Sequence, residues 1–154
     1  MTDPDATPIG SEPIVPERGP IAALLAESFE LLAARLPQAH ARVLGLLRGH
    51  EVELRLDHEA IALRFGPGVD VRAATELDPA RPRIECSLGT IVAVLDARLT
   101  LAEALESDSL RVRADLERLV HLHEGLLAYV HGAVRCPGFP ELLLRLRVLA
   151  HHRP

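Results

Sequence analysis

Polar and apolar residues alternate over two stretches in the middle of the chain, "EVELRLD" (51–57) and "AIALRF" (60–65). Because successive side chains of a strand point to opposite faces, this alternation predicts two strands, each with one apolar face. The polar residues Asp57-His58-Glu59 between them predict a hairpin connection. The same pattern recurs in three later segments, "VDVRAATEL", "RIECSL" and "LRVRA". The chain is therefore predicted to contain five strands.

The segments before and after these strands carry apolar residues at helical spacing. A first helix begins at Pro20, and a second follows it before the first strand. "GTIVAVLDA" predicts a third helix, and the Thr-x-x-Glu box at Thr100 predicts the start of a short fourth one. Asp115 can cap a long helix that runs to about His131, and Pro140 begins the last helix.

The predicted order of elements is α-α-β-β-β-β-α-α-β-α-α. Each strand has one polar and one apolar face, so helices are expected to cover only the apolar side of the sheet. The predicted fold class is α+β, with a single five-stranded sheet and helices packed on one face. Residues 1–19 hold four of the twelve prolines and four acids without any periodicity, which predicts a disordered N-terminal tail. The folded domain is predicted over 20–150, with a short C-terminal tail at 151–154.

The composition of the chain disfavours several classes of function. The net charge is −5 and aromatic residues are 3% of the chain, which disfavours nucleic-acid binding, because that function needs a basic face and stacking rings. No apolar run approaches the roughly 20 residues of a membrane span, and the acidic, Pro-rich N-terminus does not resemble a signal peptide. We therefore expect a cytoplasmic protein. Cys86 and Cys136 match no metal spacing, and a disulfide is not expected in a reducing compartment.

The segment "LTLAEALESDSLRVRAD" (99–115) joins a capped short helix, a polar turn, a strand and an Asp that starts the next helix. This arrangement resembles the sterol carrier protein 2 (SCP2) family, and in particular its bacterial SCP2-like members. In that family the segment commonly reads as a Gly-Lys step, a helix with a large apolar residue, and Gly-x-Leu-x-Ile-x-Gly-Asp. The matching positions here are Ala97-Arg98, Leu105 and 108–115. Asp108 and Ala114 replace the two glycines beside the strand, and Asp tolerates a left-handed backbone.

The resemblance covers about residues 21–150 and implies a tunnel between the sheet and its helices. It implies a lipid ligand, with fatty acyl chains, sterol-like molecules and isoprenoid quinones as candidates; some bacterial relatives are accessory factors in ubiquinone biosynthesis. A lipid tunnel needs aliphatic walls with few polar groups. The residues expected to bind the ligand are Leu63, Phe65, Val92, Leu95, Leu105, Leu110, Val112, Leu119, Val120, His123, Leu127, Leu142 and Leu146. The alternative is that these side chains simply fill a packed core.

A helical wheel of residues 115–131 places His123 at the centre of an apolar stripe. The stripe consists of Leu116, Leu119, Val120, Leu127 and Val130. A buried His123 would be either a core residue with one hydrogen-bonded nitrogen or a group that meets the polar end of a ligand. His121 falls on the opposite side with Glu117 and Glu124, where we expect it to be solvated. The two histidines are about 200° apart on a helix and cannot share a metal, so no metal site is predicted. The sequence has no P-loop or His-Glu-x-x-His motif, and no cofactor is predicted either.

The last helix, "PELLLRLRVLA", is apolar nearly all round and needs cover on two sides. It could close a cavity, pair with a second subunit, or rest on a membrane surface with its arginines at the headgroups. The leading hypothesis is non-covalent, non-enzymatic binding or carriage of a lipid. The alternative is an interaction module with a packed core that dimerises or docks on a partner enzyme through this helix. An enzyme that uses His123 or Cys136 ranks last, because the sequence has no recognisable nucleophile–base motif.

Overall fold

A computed structural model describes residues 18–75 and 78–152 of the chain. Over these residues it contains one mixed five-stranded sheet and six helices, in the order predicted from the hydrophobic pattern. The strands are β1 (Glu51–Leu56), β2 (Glu59–Phe65), β3 (Val69–Ala73), β4 (Arg83–Cys86) and β5 (Leu110–Arg113). The helices are α1 (Pro20–Arg35), α2 (Pro37–Leu47), α3 (Leu88–Leu95), α4 (Leu101–Glu106), α5 (Leu116–Ala133) and α6 (Phe139–His151). The predicted α+β class with a single five-stranded sheet is confirmed. Residues 1–17 of the predicted N-terminal tail and 153–154 of the predicted C-terminal tail lie outside the described residues, and His151, predicted in the C-terminal tail, is the last residue of α6.

The strand order is β3-β2-β1-β4-β5, and only β1 and β4 run parallel. The apolar face of the sheet carries Val52, Leu63 and Ile84, which belong to the core under the helices. The other face is charged, and its Glu53 is fully buried beside Arg55 and Arg83. None of the described helices is long and apolar enough to cross a membrane.

Two strands are shorter than their alternating segments. β3 ends at Ala73, where its partner runs out: Ala74 N still donates to Ala60 O at 2.9 Å, but β2 begins at Glu59 and offers almost no further residue to pair with. β4 stops at Cys86, because Ser87 caps α3 and its Oγ accepts a hydrogen bond from Thr90 N at 3.1 Å. The segment predicted as the end of β3 includes residues 76–77, which lie outside the described residues.

The helix starts predicted in the 99–115 segment are confirmed. Thr100 and Glu103 form a complete capping box at α4, and Asp115 accepts a hydrogen bond from Arg118 N at the start of α5. The chain also takes a left-handed backbone at Ala97 and Asp108, with φ of 57° and 61°. Both positions correspond to glycines in the family pattern that the segment resembles. Asp108 fits this conformation as expected, whereas Ala97 holds it with a Cβ that disfavours it.

The first turn of α1 depends on a strand. The carboxylate of Glu59, the first residue of β2, accepts hydrogen bonds from Ile21 N at 3.2 Å and Ala22 N at 3.0 Å. Gly19 offers no side chain to cap the helix, and a Cβ at that position would collide with the Glu59 carboxylate. Glu59, 37 positions after Ala22, therefore accepts the hydrogen bonds that an N-terminal capping side chain usually accepts.

The helical register predicted for α5 is wrong. Its packed face contains Leu122, Gly125, Gly132 and Ala133, and it packs mainly against α2. Small residues let the two helix backbones approach closely, and a Cβ at Gly125 would overlap the side chain of Leu47. The wheel counted large aliphatic side chains and could not recognise glycine as a contact residue.

This rotation turns part of the predicted stripe outward, although Leu127 and Val130 still pack against the core. Leu116 is 78% exposed, Val120 is 50% exposed, and His123 is exposed, so the expectation of a buried His123 is wrong. His121, expected in solvent, is instead half-buried, and its ring centroid lies 5.6 Å from that of His50.

Candidate functional site

The interior of the domain contains an apolar pocket of about 180 Å³ between the sheet and the helices. Four strands, β1, β2, β4 and β5, contribute to its wall, and so does each of the six helices. The sheet supplies alternate residues such as Val52 and Leu54, because every second side chain of a strand faces the core. The volume is close to that of an engineered apolar cavity of about 150 Å³ that admits benzene, and below the roughly 300 Å³ of a typical small-molecule site.

The structure divides the predicted ligand-binding residues into two groups. Those on the pocket wall are Leu63, Phe65, Leu95, Leu110, Leu142 and Leu146. Those that do not line it are Val92, Leu105, Val112, Leu119, Val120, His123 and Leu127. Most of the second group lies on α5, where the register was predicted wrongly, or on the far side of a wall element.

Leu105 and Val92 show that the direction in which a helical residue faces decides whether its side chain reaches the pocket. α4 buries Leu101 and Ala104, so Leu105 is turned outward and is 38% exposed. Val92 is buried in α3, but its neighbours Ile91 and Val94 face the pocket instead.

The most polar part of the wall is a hydroxyl pair that the sequence reasoning missed. Ser28 on α1 and Tyr129 on α5 line the pocket, and their oxygens are 2.7 Å apart. Ser28 Oγ also lies 2.6 Å from Leu25 O, to which it donates. Two features of the sequence could have indicated this pair. One is the serine within the apolar stripe of α1, and the other is the only tyrosine of the chain, on a helix otherwise rich in leucine.

The surroundings of the pair keep the phenol neutral. Burial raises the pKa of Tyr129 to about 12, although its hydrogen bond with Ser28 acts in the opposite direction. The ring of Phe29 packs against that of Tyr129 at a centroid distance of 5.0 Å. Tyr129 is therefore a neutral hydrogen-bonding group in an apolar environment.

The two cysteines are poor nucleophiles in this fold. Cys86 lines the pocket, where burial raises the pKa of its thiol to about 12 and the nearby Asp57 acts in the same direction. Cys136 is buried, and burial raises the pKa of its thiol too. A thiol reacts as its thiolate, so both are expected to be unreactive at neutral pH. Within the described residues there is no cluster of three or more His, Cys, Asp and Glu side chains that could hold a metal.

The C-terminal helix closes one side of the pocket with Leu142, Leu143 and Leu146. Two ion pairs connect α6 to its neighbours: Arg145 Nη1 lies 2.8 Å from both carboxylate oxygens of Glu27 on α1, and Arg147 pairs with Asp96 at the end of α3. α6 packs on α3 and α1, whereas α5 packs mainly on α2. The two helices thus share the pocket wall without packing extensively on each other.

The opposite face of α6 is apolar as well. Leu144 is 58% exposed and Val148 is 55% exposed. The expectation that this helix needs cover on two sides therefore matches the distribution of its leucines: one face lies over the pocket, and the other face is uncovered.

Two solved structures share this architecture. One is described as "UbiJ-SCP2 Ubiquinone synthesis protein"; it is 17% identical, with a TM-score of 0.52 over 70% of this chain and 90% of its own. The other is described as "Crystal structure of sterol carrier protein 2"; it is 17% identical, with a TM-score of 0.51 over 74% of this chain and 95% of its own. No family model matches the chain, and no curated protein matches it. At these identities the likeness shows the fold, which is the fold expected from the 99–115 segment.

Proposed function

We propose that this chain, which has the SCP2-like fold, binds and carries an elongated apolar molecule non-covalently in its interior pocket. The observation that carries the proposal is the pocket itself, about 180 Å³ of space between the sheet and the helices with an almost wholly apolar wall. The ligand-binding unit would be residues 20–150, and a protein of this kind would work in the cytoplasm without a catalytic group or a cofactor.

The energetics of packing favour an occupied pocket. Protein interiors are normally close-packed, and a residual cavity destabilises a fold by about 24 cal/mol per Å³. Apolar wall surface that is not covered by other apolar atoms is unfavourable, and an apolar ligand that fills the pocket would cover it.

The size of the pocket also bears on how a lipid would enter. A fatty acyl chain, a sterol-like molecule or an isoprenoid quinone is larger than the present space, so α5 and α6 would have to separate as it enters. The loose contact between these two helices supports this route. The ubiquinone synthesis protein of the same fold makes an isoprenoid quinone one class to examine first.

Two neighbouring leucines of α6 provide a matched test. Leu143 lines the pocket, whereas Leu144 is exposed on the outer face. Leu143→Trp should fill part of the pocket and lower the amount of lipid that co-purifies by at least severalfold. Leu144→Trp, the same change one residue away, should leave it unchanged. The measurement is native mass spectrometry of the purified proteins, followed by organic extraction and identification of the bound molecules.

The proposal fails if the wild-type protein carries no apolar molecule and binds none when lipids are offered. It also fails if the two tryptophan variants bind equally well, because the ligand would then lie outside the pocket.

The exposed leucine and valine of α6 support a second candidate function, an interaction module. In this alternative Leu144 and Val148 dock on a partner enzyme, on a second copy of the chain, or on a membrane surface. Leu144→Glu combined with Val148→Glu should then abolish the association. Sedimentation velocity would show whether the wild-type protein is larger than this variant, and vesicle flotation would detect membrane binding.

A further inference from the structure

We infer that Ser28 and Tyr129 form a polar anchor that selects an uncharged ligand ending in a hydroxyl group. The inference rests on the proposed function, because it assumes that the pocket takes a ligand. It adds the chemical class of that ligand and names the residues that recognise it.

The first argument is an account of the protons in the pair. A serine hydroxyl has one proton, and Ser28 Oγ donates it to Leu25 O at 2.6 Å. In the 2.7 Å contact between the two hydroxyls, Tyr129 must therefore be the donor and Ser28 the acceptor. Both protons are then used within the protein, and the Tyr129 oxygen can only accept a further hydrogen bond. A ligand that meets it must bring its own donor.

The second argument concerns charge. Among the described residues, no Arg, His, Asp or Glu side chain lines the pocket. Besides the pair, the hydroxyl-bearing Thr90 and the thiol of Cys86 also line the pocket. A carboxylate at the pair itself would have no counter-ion, and both protons of the pair are already used, so an unpaired buried charge there is strongly disfavoured. The same proton account leaves a ketone or an ether without a donor, so of the isoprenoid quinones only the reduced form, which carries hydroxyl groups, would meet the pair. A neutral alcohol is the end group that the site satisfies.

The third argument is that the pair is held in a defined position. Ser28 comes from α1 and Tyr129 from α5, 101 residues apart in the chain, and both helices face the pocket. The rings of Phe29 and Tyr129 pack at 5.0 Å, which fixes the direction of the phenol. The raised pKa of Tyr129 keeps its proton in place across the physiological pH range.

Two isomers offer a sharp test, 1-hexanol and methyl pentyl ether, which have the same atoms but differ in the hydroxyl donor. Isothermal titration calorimetry would measure their dissociation constants for the wild-type protein and two variants. Ser28→Ala combined with Tyr129→Phe removes the anchor and should weaken hexanol about three- to tenfold, the value of one neutral hydrogen bond, while the ether is unaffected. Ser28→Ala alone frees the Tyr129 proton and should strengthen the ether by a similar factor.

A third ligand tests the second argument, the exclusion of charged ligands, on the wild-type protein. Below its pKa, hexanoic acid is uncharged and can donate a hydrogen bond. Hexanoate, its ionised form, is charged and has no proton to donate. Binding of this third ligand should fall at least tenfold as the pH rises from 4.5 to 7.5, while hexanol binding stays constant. If the wild-type protein binds hexanol no more tightly than the ether, or if the double variant binds hexanol as tightly as the wild-type protein does, the anchor is refuted and the proposed function stands. If hexanoate binds as tightly as hexanoic acid, the exclusion of charged ligands is refuted. If none of the three molecules binds, and Leu143→Trp has no effect on lipid content, both the anchor and the proposed function are refuted.

Discussion

Gly125 and Gly45 allow the same substitution to be made in two opposite environments. Gly125 lies in the interior of α5, where a Cβ would lie 2.5 Å from Cδ2 and 2.7 Å from Cδ1 of Leu47, and closer still to its Cγ. Gly45 lies in the interior of α2 with nothing within 4 Å of such a Cβ. Any difference between the two alanine variants therefore reports the contact between α5 and α2.

The magnitudes follow from two opposing terms. Alanine is favoured over glycine in a helix by about 1 kcal/mol, so Gly45→Ala should raise the free energy of unfolding by that amount. Gly125→Ala has the same gain but also overpacks Leu47, which typically destabilises by about 1–3 kcal/mol. We expect Gly125→Ala to lower the free energy of unfolding by up to about 2 kcal/mol.

Urea unfolding followed by circular dichroism would measure both variants, with a third experiment as the control. In a Leu47→Ala background the overlap is gone, so Gly125→Ala should become stabilising, as it is at Gly45. If Gly125→Ala stabilises the wild-type protein as much as Gly45→Ala does, the register of α5 against α2 described above is wrong.

Two further predictions concern backbone strain and alkaline pH. Ala97 holds a φ of 57°, which an L-residue adopts at a cost of about 1–2 kcal/mol, so Ala97→Gly should raise the free energy of unfolding by up to about 1 kcal/mol after the extra chain entropy of glycine is subtracted. Ala93→Gly, in the middle of α3, should lower it by about 1 kcal/mol, and equal effects from both would contradict the assignment of strain. Burial raises the pKa of Cys86 and of Tyr129 to about 12, from ordinary values of 9.0 and 10.0. The unfolded chain then releases protons that the folded chain retains, so the free energy of unfolding should fall as the pH rises from about 9 towards 12. Urea titrations across this range would test it, and a flat profile would show that the two groups are not buried.

The parts of the fold that rest on short-range rules could be predicted from the sequence. Alternation located the strands, because a half-buried sheet places every second residue in the core. The box at Thr100 and the cap at Asp115 were recognised, because both act within three residues of the helix start. The family pattern in the 99–115 segment then led to the correct overall fold.

The pocket could be predicted only in outline. Its wall depends on the direction in which each helix faces, and the direction of α5 is decided by glycines that contact α2, which a hydrophobic pattern does not weight. The pair of Ser28 and Tyr129 joins residues from two distant helices, so no local spacing indicates it. His123 attracted attention for its aliphatic neighbours on the wheel, but Leu116 and Val120 are exposed, and His123 lies on the exposed side with them.

The contact between Glu59 and the first turn of α1 has a consequence for synthesis. The ribosome releases α1 before β2. The N–H groups of Ile21 and Ala22 therefore lack their acceptor until Glu59, 37 or more residues later in the chain, has been synthesised. Until the hairpin forms, the start of this helix has only water to satisfy it and is prone to fray. The full length of α1 therefore forms only in the assembled domain. Slowed amide exchange in its first turn would show when the hairpin that carries Glu59 has formed.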